Sequence, residues 1–152
     1  MTLQNAAAAL LTTRFGMGHW STIVTDTGTV RAMQHARVRV GVAGRRVITV
    51  LRLATKKPWA IDASYFTKVK RALYLTNMAV AVEEQRRGMG RLALEDARRV
   101  AMDERADAIR LDSYDAEAGA GPFYSKCGFT ERGRVTYRSV PLTYHELLLT
   151  RT

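Results

Sequence analysis

The stretch Asn77–Val100, NMAVAVEEQRRGMGRLALEDARRV, contains three consecutive patterns that together predict a local fold. An apolar run ends, a basic turn containing Gly88 and Gly90 follows, and an amphipathic helix begins at once. The first turn of a helix has unpaired N–H groups and a positive dipole end, and glycine lets an anion approach the backbone closely. The stretch therefore predicts a phosphate-binding turn between a strand and a helix, with arginines adding positive charge.

Two common phosphate motifs do not match this turn. A Walker loop requires GxxxxGK[ST], which the chain lacks, and a dinucleotide fingerprint requires a third glycine that is missing after Gly88 and Gly90. Taken alone, the stretch is therefore explained equally well by a tight strand–helix turn with exposed arginines.

The composition is that of an ordinary soluble globular protein. The chain has 152 residues, of which 47% are hydrophobic and 25% charged, so we expect a single domain spanning residues 1–152. Its single cysteine, Cys127, excludes a disulfide within the chain and favours a reducing, cytoplasmic location. No apolar run is long enough to cross a bilayer, and the first residues lack the basic segment of a signal peptide, so no membrane association is expected.

The net charge of +10 is concentrated in the first half of the chain. Up to Arg71 there are twelve Lys and Arg residues against Asp26 and Asp62, whereas from Ala72 onward the counts are twelve and twelve. A basic surface favours anionic ligands or an acidic acceptor, although it also serves solubility. The chain contains no nucleic-acid-binding motif, so a nucleic-acid partner is not expected.

The remaining patterns predict alternating helices and strands of an α/β fold. Helices are predicted at Asn5–Arg14, after an N-cap at Thr27, from Met89 to about Glu104, and in a short segment that Gly128 ends. In the third helix the buried face is predicted to contain Met89, Leu92, Ala93, Ala97, Val100 and Ala101, opposite a charged row of Arg91, Glu95 and Arg99. Strands are predicted at 37–44 and 47–55 (a hairpin whose first strand is half-buried), 72–82 (covered on both faces), 108–114, 135–139 and 144–149.

Two segments resemble the GNAT N-acetyltransferase superfamily. QRRGMG (85–90) matches its Q/R-x-x-G-x-G/A signature, five residues after the end of the MAV strand. About forty residues downstream, GPFYSKCGF resembles the second element of the family, a helix carrying FYxKxGF. The order and separation of the two motifs make the resemblance more specific than either motif alone, and it covers roughly Leu73–Leu149.

This resemblance implies a single GNAT-type domain with a central mixed, mostly antiparallel sheet flanked by helices, in which a splayed strand pair holds coenzyme A. It implies acetyl-CoA as co-substrate and no metal. The implied pyrophosphate-binding residues are Gln85, Arg86, Arg87, Gly88, Met89, Gly90 and Arg91, largely through backbone N–H groups. The pantetheine arm is expected to bond to the backbone of Met78 and Val80 as an added strand.

The resemblance also assigns a catalytic role to Tyr124, which would protonate the departing thiolate; the alternative is a core aromatic residue beside Phe123 and Phe129. Two departures from the family stand out: Glu117 replaces an asparagine that often contacts coenzyme A, and the glycine-rich AGAGP suggests a shortened helix. Cys127 is interpreted as a packing residue.

The general base is left open, because Tyr74 occupies the position of the glutamate that some relatives use. The candidates are Asp62, Glu83, Asp112, His19 and His145, or a chain of ordered water. Trp20, Trp59, Tyr65 and Phe66 are candidates for an aromatic wall of the acceptor pocket, and ordinary anchoring of a loop explains them equally well.

We therefore predict an acetyl-CoA-dependent N-acetyltransferase, acting by direct attack of a primary amine within a ternary complex. The acceptor is a small molecule or a peptide, and the basic first half points to an acidic one. A longer acyl chain is also compatible with the sequence, and a homodimer is expected by analogy with the family. The alternative is a non-catalytic module that senses acyl-CoA or docks on nucleic acid.

Overall fold

The computed structural model describes residues 2–18, 30–31 and 33–150. Within them lie three α-helices and six β-strands: α1 (Thr2–Phe15), β1 (Arg37–Ala43), β2 (Arg46–Ala54), β3 (Ala72–Val80), α2 (Met89–Asp103), β4 (Ala108–Tyr114), α3 (Gly121–Lys126), β5 (Thr130–Tyr137) and β6 (Val140–Leu148). The strands form one mixed sheet in the order β1-β2-β3-β4-β6-β5, which confirms the predicted fold class. By internal contacts the chain divides into a first unit, residues 1–54 and 75–97, and a second unit, residues 55–74 and 98–152.

The predicted first helix is confirmed and extends slightly further at both ends. Gly16 follows α1 with a φ of 82°, and its N–H donates to the Thr12 carbonyl at 2.8 Å, so a left-handed glycine ends the helix. Thr27 lies outside the described residues, whereas Val30, Arg31 and Met33 of the helix predicted after it are described and are helical.

The predicted hairpin is confirmed, with β1 and β2 antiparallel from Arg37↔Leu53 to Ala43↔Arg46. Gly44, with a φ of 61°, forms the turn with Arg45. The predicted half-burial of β1 is wrong, because Val40 and Val42 are mostly exposed in the described structure. β1 is the edge strand, and its register shifts between Gly41 and Val42, which interrupts the regular alternation.

Helix α2 confirms the predicted amphipathic pattern, but its buried face is narrower than expected. Leu94, Ala97 and Ala101 are buried at helical spacing, whereas Leu92 is 55% exposed, so its predicted burial is wrong. Leu92, Met89 and Ala93 instead line an open groove of about 470 Å³ against the hairpin of the first unit.

In the second unit, β4 pairs in parallel with the start of β3 and antiparallel with β6, which in turn pairs with β5. Strand β3 is buried on both faces at Leu73, Tyr74 and Leu75, as predicted, but Asn77 is exposed. The strand predicted at 135–139 is wrong at its end, because Arg138 and Ser139 have φ values of 48° and 67° and form the β5–β6 turn. Neither residue carries the glycine or asparagine signal that such a turn usually shows.

Candidate functional site

The turn after β3 brings the predicted phosphate-binding residues together at the start of α2. Strand β3 ends at Val80, a single 3-10 turn covers Val82–Glu84, and α2 begins at Met89. The Leu92 N–H donates to the Gly88 carbonyl at 3.1 Å, which begins the helical hydrogen-bond ladder. Because the first N–H groups of a helix have no acceptor in a preceding turn, this end of α2 suits an anion.

The backbone of this turn has two left-handed residues. Arg86 has a φ of 63° and Gly88 a φ of 82°, and non-glycine residues adopt this conformation rarely. Left-handed residues that alternate with right-handed ones direct successive N–H groups into one concavity, which binds anions. A Cβ placed on Gly88 would meet no atom within 4 Å, so the space beside this backbone is open to a ligand.

The Gln85 side chain turns back to the strand instead of extending toward solvent. Its Nε2 donates to the Val80 carbonyl at 3.2 Å, and its own N–H donates to the Val82 carbonyl at 3.4 Å. Gln85 therefore fixes the exit of the chain from β3, so its side chain holds the turn in place.

The positive charge of the turn is partly offset by two nearby carboxylates, Glu83 and Glu84. Arg87 pairs with Glu84 at 3.4 Å, and Arg46 of β2 pairs with Glu84 at 3.1 Å and with Glu83 at 3.3 Å. Arg86 and Arg91 are exposed. The turn thus has fewer unopposed cations than the motif suggests, so its backbone is the part best suited to an anion.

Strand β3 bends just before Met78 and Val80, the residues predicted to contact pantetheine. Asn77 has a φ of 53°, and its carbonyl accepts a hydrogen bond of 3.1 Å from Nε2 of the buried Gln4 in α1. Sequence reasoning missed both residues, because nothing in an Ala/Leu-rich helix indicates that one glutamine reaches a strand seventy-three positions away.

The ladder between β3 and β4 is short. It comprises Ala72↔Ala108, Leu73↔Ile109 and Tyr74↔Arg110, whereas β3 continues to Val80 and β4 to Tyr114. Met78 and Val80 therefore lie beyond the last residue of β3 that pairs with β4.

Tyr124 is held by a complete C-terminal capping motif on the six-residue helix α3. The Phe129 N–H donates to the Tyr124 carbonyl at 3.1 Å, and the Gly128 N–H donates to the Ser125 carbonyl at 3.2 Å. Gly128 has a φ of 95°, as a left-handed cap requires, which confirms its predicted role in ending the helix. The Tyr124 and Phe129 rings, 5.7 Å apart, supply the apolar contact that accompanies this motif.

The Tyr124 side chain is buried among aromatic rings. Its ring lies 5.3 Å from Phe123 and 5.8 Å from His145. Burial raises the pKa of the Tyr124 phenol well above its usual value, with smaller contributions from the charges of Asp112 and Cys127. The phenol therefore stays protonated at neutral pH, as a proton donor must.

Close packing explains the glycine at position 119, before α3. A Cβ on Gly119 would lie 1.9 Å from the Tyr114 carbonyl oxygen, so the turn admits only glycine there. The helix is short, as predicted, and Glu117 is exposed in the turn before it.

Two of the candidate bases have structural roles on the surface. Asp62 caps the 3-10 turn Ala63–Tyr65 by accepting hydrogen bonds from the Ser64 hydroxyl and N–H, which lower its pKa. Glu83 is exposed and pairs with Arg46. His19 lies outside the described residues.

The other two candidates lie in the second unit and differ in what surrounds them. His145 is 1% exposed; its Nε2 lies 3.0 Å from the Ser113 hydroxyl, and no described residue bonds to its buried Nδ1. Burial lowers the pKa of His145, with Glu131 acting weakly in the opposite direction. Asp112 is partly buried on β4, and burial raises the pKa of its carboxyl group.

Tyr74, at the position of the family glutamate, belongs to a buried network. Nη1 of Arg110 donates to the Tyr74 hydroxyl at 3.1 Å, and Nε donates to Glu146 at 3.0 Å. The Arg110 guanidinium also lies 5.0 Å from the Phe66 ring centre and donates to the Thr67 carbonyl. This network, which the sequence did not reveal, fixes the end of the 55–70 loop to β4 and β6.

The aromatic residues of that loop do not form a single wall. Phe66 is buried and packs 5.2 Å from Tyr144, so it anchors the loop. Tyr65 is partly exposed and lies 5.4 Å from Tyr144, whereas Trp59 is 84% exposed. Trp20 lies outside the described residues. The anchoring interpretation thus holds for Phe66.

The described residues form neither a metal-binding cluster of acidic, His or Cys side chains nor a membrane-spanning helix. No group of three or more His, Cys, Asp or Glu side chains that could hold a metal was found among them. None of the helices they form is long and apolar enough to span a membrane.

Comparison with solved structures shows the same fold at low sequence identity. A Bacillus anthracis protein named as a streptothricin acetyltransferase, in complex with acetyl coenzyme A, has a TM-score of 0.61 and 17% identity over 76% of this chain and 64% of its own. A GNAT family acetyltransferase from Elizabethkingia anophelis with acetyl-CoA bound has a TM-score of 0.60 and 14% identity over 82% and 84%. A ribosomal-protein-alanine N-acetyltransferase from Brucella melitensis has a TM-score of 0.69 and 16% identity over 96% of both chains.

The sequence comparisons define the family. No curated protein matches the chain. A family model described as an acetyltransferase (GNAT) domain matches residues 27–131, well over half of the 152 residues, and this range includes β3, the Gln85–Gly90 turn and Tyr124. The chain therefore belongs to the GNAT acetyltransferase domain family.

Proposed function

We propose that the protein transfers an acetyl group from acetyl-CoA to a primary amine by direct attack within a ternary complex. The observation that carries this proposal is the Gln85–Gly90 turn, whose two left-handed residues and open Gly88 stand at the start of α2. Family membership and the acetyl-CoA bound to the Bacillus and Elizabethkingia proteins support the same co-substrate.

The residues of the turn would bind the pyrophosphate through the backbone. Gly88, Met89 and Gly90 offer N–H groups at the helix start, and Arg86, Arg87 and Arg91 add charge around them. Gln85 would act indirectly, by tying the turn to Val80. Met78 and Val80, which follow the bend at Asn77, would bond to the amides of the pantetheine arm as an added strand.

Tyr124 would return a proton to the coenzyme A sulfur when the carbon–sulfur bond breaks. Its buried, protonated phenol and its fixed position on α3 support this role. Acid catalysis of this kind contributes roughly 10²–10⁴-fold to rate.

The acceptor is proposed to be an amine of a small molecule or a peptide. The names of the structural neighbours include both classes, streptothricin in one case and a ribosomal-protein alanine in another. The excess positive charge of the first half favours an acidic acceptor.

Calorimetric titration with acetyl-CoA tests the proposal, using the wild type beside Gly88→Glu. The substitution places a side chain and a negative charge where the pyrophosphate would bind, so the variant should lose measurable binding. Gly44→Glu is the matched control, because Gly44 also has a positive φ of 61° and no atom within 4 Å of its Cβ position.

The control separates ligand exclusion from backbone strain, since both variants put glutamate on a left-handed residue. If Gly44→Glu loses as much affinity as Gly88→Glu, or the wild type does not bind acetyl-CoA, the turn is not the binding site.

The rival proposal is a GNAT-fold module that binds acyl-CoA or nucleic acid without catalysis. The absence of a glutamate at Tyr74 gives it some weight. Tyr124→Phe discriminates: turnover of an amine panel should fall about 100-fold or more, while acetyl-CoA affinity is retained. No turnover by the wild type with any amine, together with salt-sensitive DNA binding, would favour the module.

Two further expectations belong to this proposal. The single Cys127 supports a reducing, cytoplasmic location. A homodimer is supported by analogy with the family alone, and light scattering of the purified protein tests it.

A further inference from the structure

We propose that Gln4 of α1 is a positioning residue that orients the Met78 N–H toward the arm of acetyl-CoA. This inference rests on the proposed acetyl transfer, which assigns the backbone of Met78 to the pantetheine arm. Gln4, Asn77 and Met78 all belong to the first unit, residues 1–54 and 75–97.

The Gln4 side chain is buried and makes one defined contact with β3. It is 9% exposed, and it is the only buried residue among the α1 side chains that the structure describes, residues 3–15. A buried amide is unfavourable unless it forms hydrogen bonds, and Nε2 donates to the Asn77 carbonyl at 3.1 Å. Because a carbonyl oxygen only accepts, the NH2 side of the amide must face it, which fixes the orientation of the Gln4 side chain.

The accepting carbonyl belongs to the peptide unit that also contains the Met78 N–H. This peptide is trans, and in a planar trans peptide the C=O and the N–H point in opposite directions. Gln4 holds the Asn77 oxygen toward α1. The same bond therefore directs the Met78 N–H away from α1.

The conformation of Asn77 determines whether this orientation is kept. Asn77 has a φ of 53° inside the strand Ala72–Val80, where extended residues have negative φ values. Asparagine tolerates the left-handed region better than most residues but does not require it. An extended Asn77 would turn the peptide and withdraw its oxygen from Gln4. The Gln4 bond thus favours the left-handed conformation and, with it, the direction of the Met78 N–H.

The ligand that depends on this direction is the amide-bearing arm of acetyl-CoA. Its carbonyl oxygens would accept from a strand N–H as an added strand does, and such a bond weakens steeply when its angle is poor. The pyrophosphate, by contrast, is assigned to the Gln85–Gly90 turn. ADP carries a diphosphate but no arm, so its affinity should not depend on Gln4.

Calorimetric titration of Gln4→Met with acetyl-CoA and with ADP tests this difference. Methionine keeps the length of the side chain and removes the donor. The affinity for acetyl-CoA should fall about three- to tenfold, as the loss of one hydrogen bond predicts, while the affinity for ADP stays at the wild-type value. An unchanged affinity for acetyl-CoA, or an equal loss for both ligands, would overturn the inference.

The same substitution at the other two glutamines gives matched controls. Gln85→Met should weaken the binding of both ligands, because it releases the turn from the Val80 carbonyl. Gln34→Met changes an exposed position and should weaken neither. Urea denaturation of each variant shows that the titrated protein is folded.

Asn77→Val reaches the same peptide from the strand and does not depend on the folding of Gln4→Met. Valine is β-branched and strongly disfavours the left-handed region, and Asn77 is exposed, so the new side chain meets solvent. The variant should show the same selective loss of acetyl-CoA affinity, and adding Gln4→Met should cause little further loss because the peptide has already turned. Losses that add in full would show that the two residues act independently, which contradicts the inference.

The outcomes separate this inference from the proposed function. If the wild type does not bind acetyl-CoA, the proposed function fails and the positioning role fails with it. If the wild type binds and Gly88→Glu does not, but Gln4→Met and Asn77→Val bind acetyl-CoA as the wild type does, the positioning role alone fails.

Discussion

The Gln85–Arg91 turn depends on its backbone, whereas the buried cluster of the second unit depends on its side chains. In the turn, two left-handed residues and a helix start form the proposed anion-binding site, and the arginine side chains are exposed. In the buried cluster, formed by Phe66, Tyr74, Arg110, Tyr144 and Glu146, side chains make the contacts. Side-chain substitutions in the cluster should therefore change the unfolding free energy strongly. Side-chain substitutions in the turn should change acetyl-CoA affinity only slightly.

The largest effect is expected for Arg110→Met. It leaves Glu146 buried, at 2% exposure, without its main partner, and breaking such a pair costs about 3–5 kcal/mol in unfolding free energy. Urea denaturation measures this loss. The double variant Arg110→Met/Glu146→Met should recover much of it, because two apolar side chains replace two buried charges.

Arg134→Met is the matched control for an exposed pair. Arg134 lies 2.8 Å from Glu131, closer than Arg110 lies to Glu146, but both side chains are largely in solvent. The unfolding free energy of Arg134→Met should be close to that of the wild type, since exposed ion pairs contribute little to stability. Equal losses for Arg110→Met and Arg134→Met would show that burial does not set the strength of these pairs.

The same contrast explains what could be predicted from sequence. The turn is a local feature, so the spacing of Gly88 and Gly90 after an apolar strand was enough to locate it. Strand β4 was predicted at its observed bounds because its pattern is local as well. The cluster depends on residues far apart in the chain, such as Thr67, Arg110 and Glu146, and no spacing rule indicates that they meet. The sequence predicts a strand at Arg138 and Ser139 because their turn lacks glycine.

His145 is expected to have a smaller effect, on the pH dependence of stability, and its pKa shift defines the sign. Burial lowers its pKa in the folded state, so on acidification the unfolded chain takes up the proton first. Stability should therefore decrease as pH falls below the unfolded value of about 6.5, and it should be fully present above that value. Unfolding followed from pH 8 to pH 5 measures the slope, which His145→Gln should flatten.

Asp112 should change the pH dependence of stability in the opposite direction, which the same experiment measures. Its raised pKa means that the folded state binds the proton more readily, so this group favours folding as pH falls. Asp112→Asn should steepen the acid loss that His145→Gln flattens. A wild-type profile unaffected by either substitution would show that the second unit does not control acid stability.

The smallest effect is expected in the turn, for Arg87→Gln. The Arg87 side chain is 66% exposed and shares Glu84 with Arg46, so its removal leaves the left-handed backbone at Arg86 and Gly88 in place. Acetyl-CoA affinity should fall only about two- to fivefold, as expected for an exposed charge, and the difference should vanish at high salt. Calorimetry at two ionic strengths measures both quantities. A loss of affinity as complete as that expected for Gly88→Glu would mean that the arginine side chain, and not the backbone, binds the pyrophosphate. The turn would then depend on its side chains, as the buried cluster does.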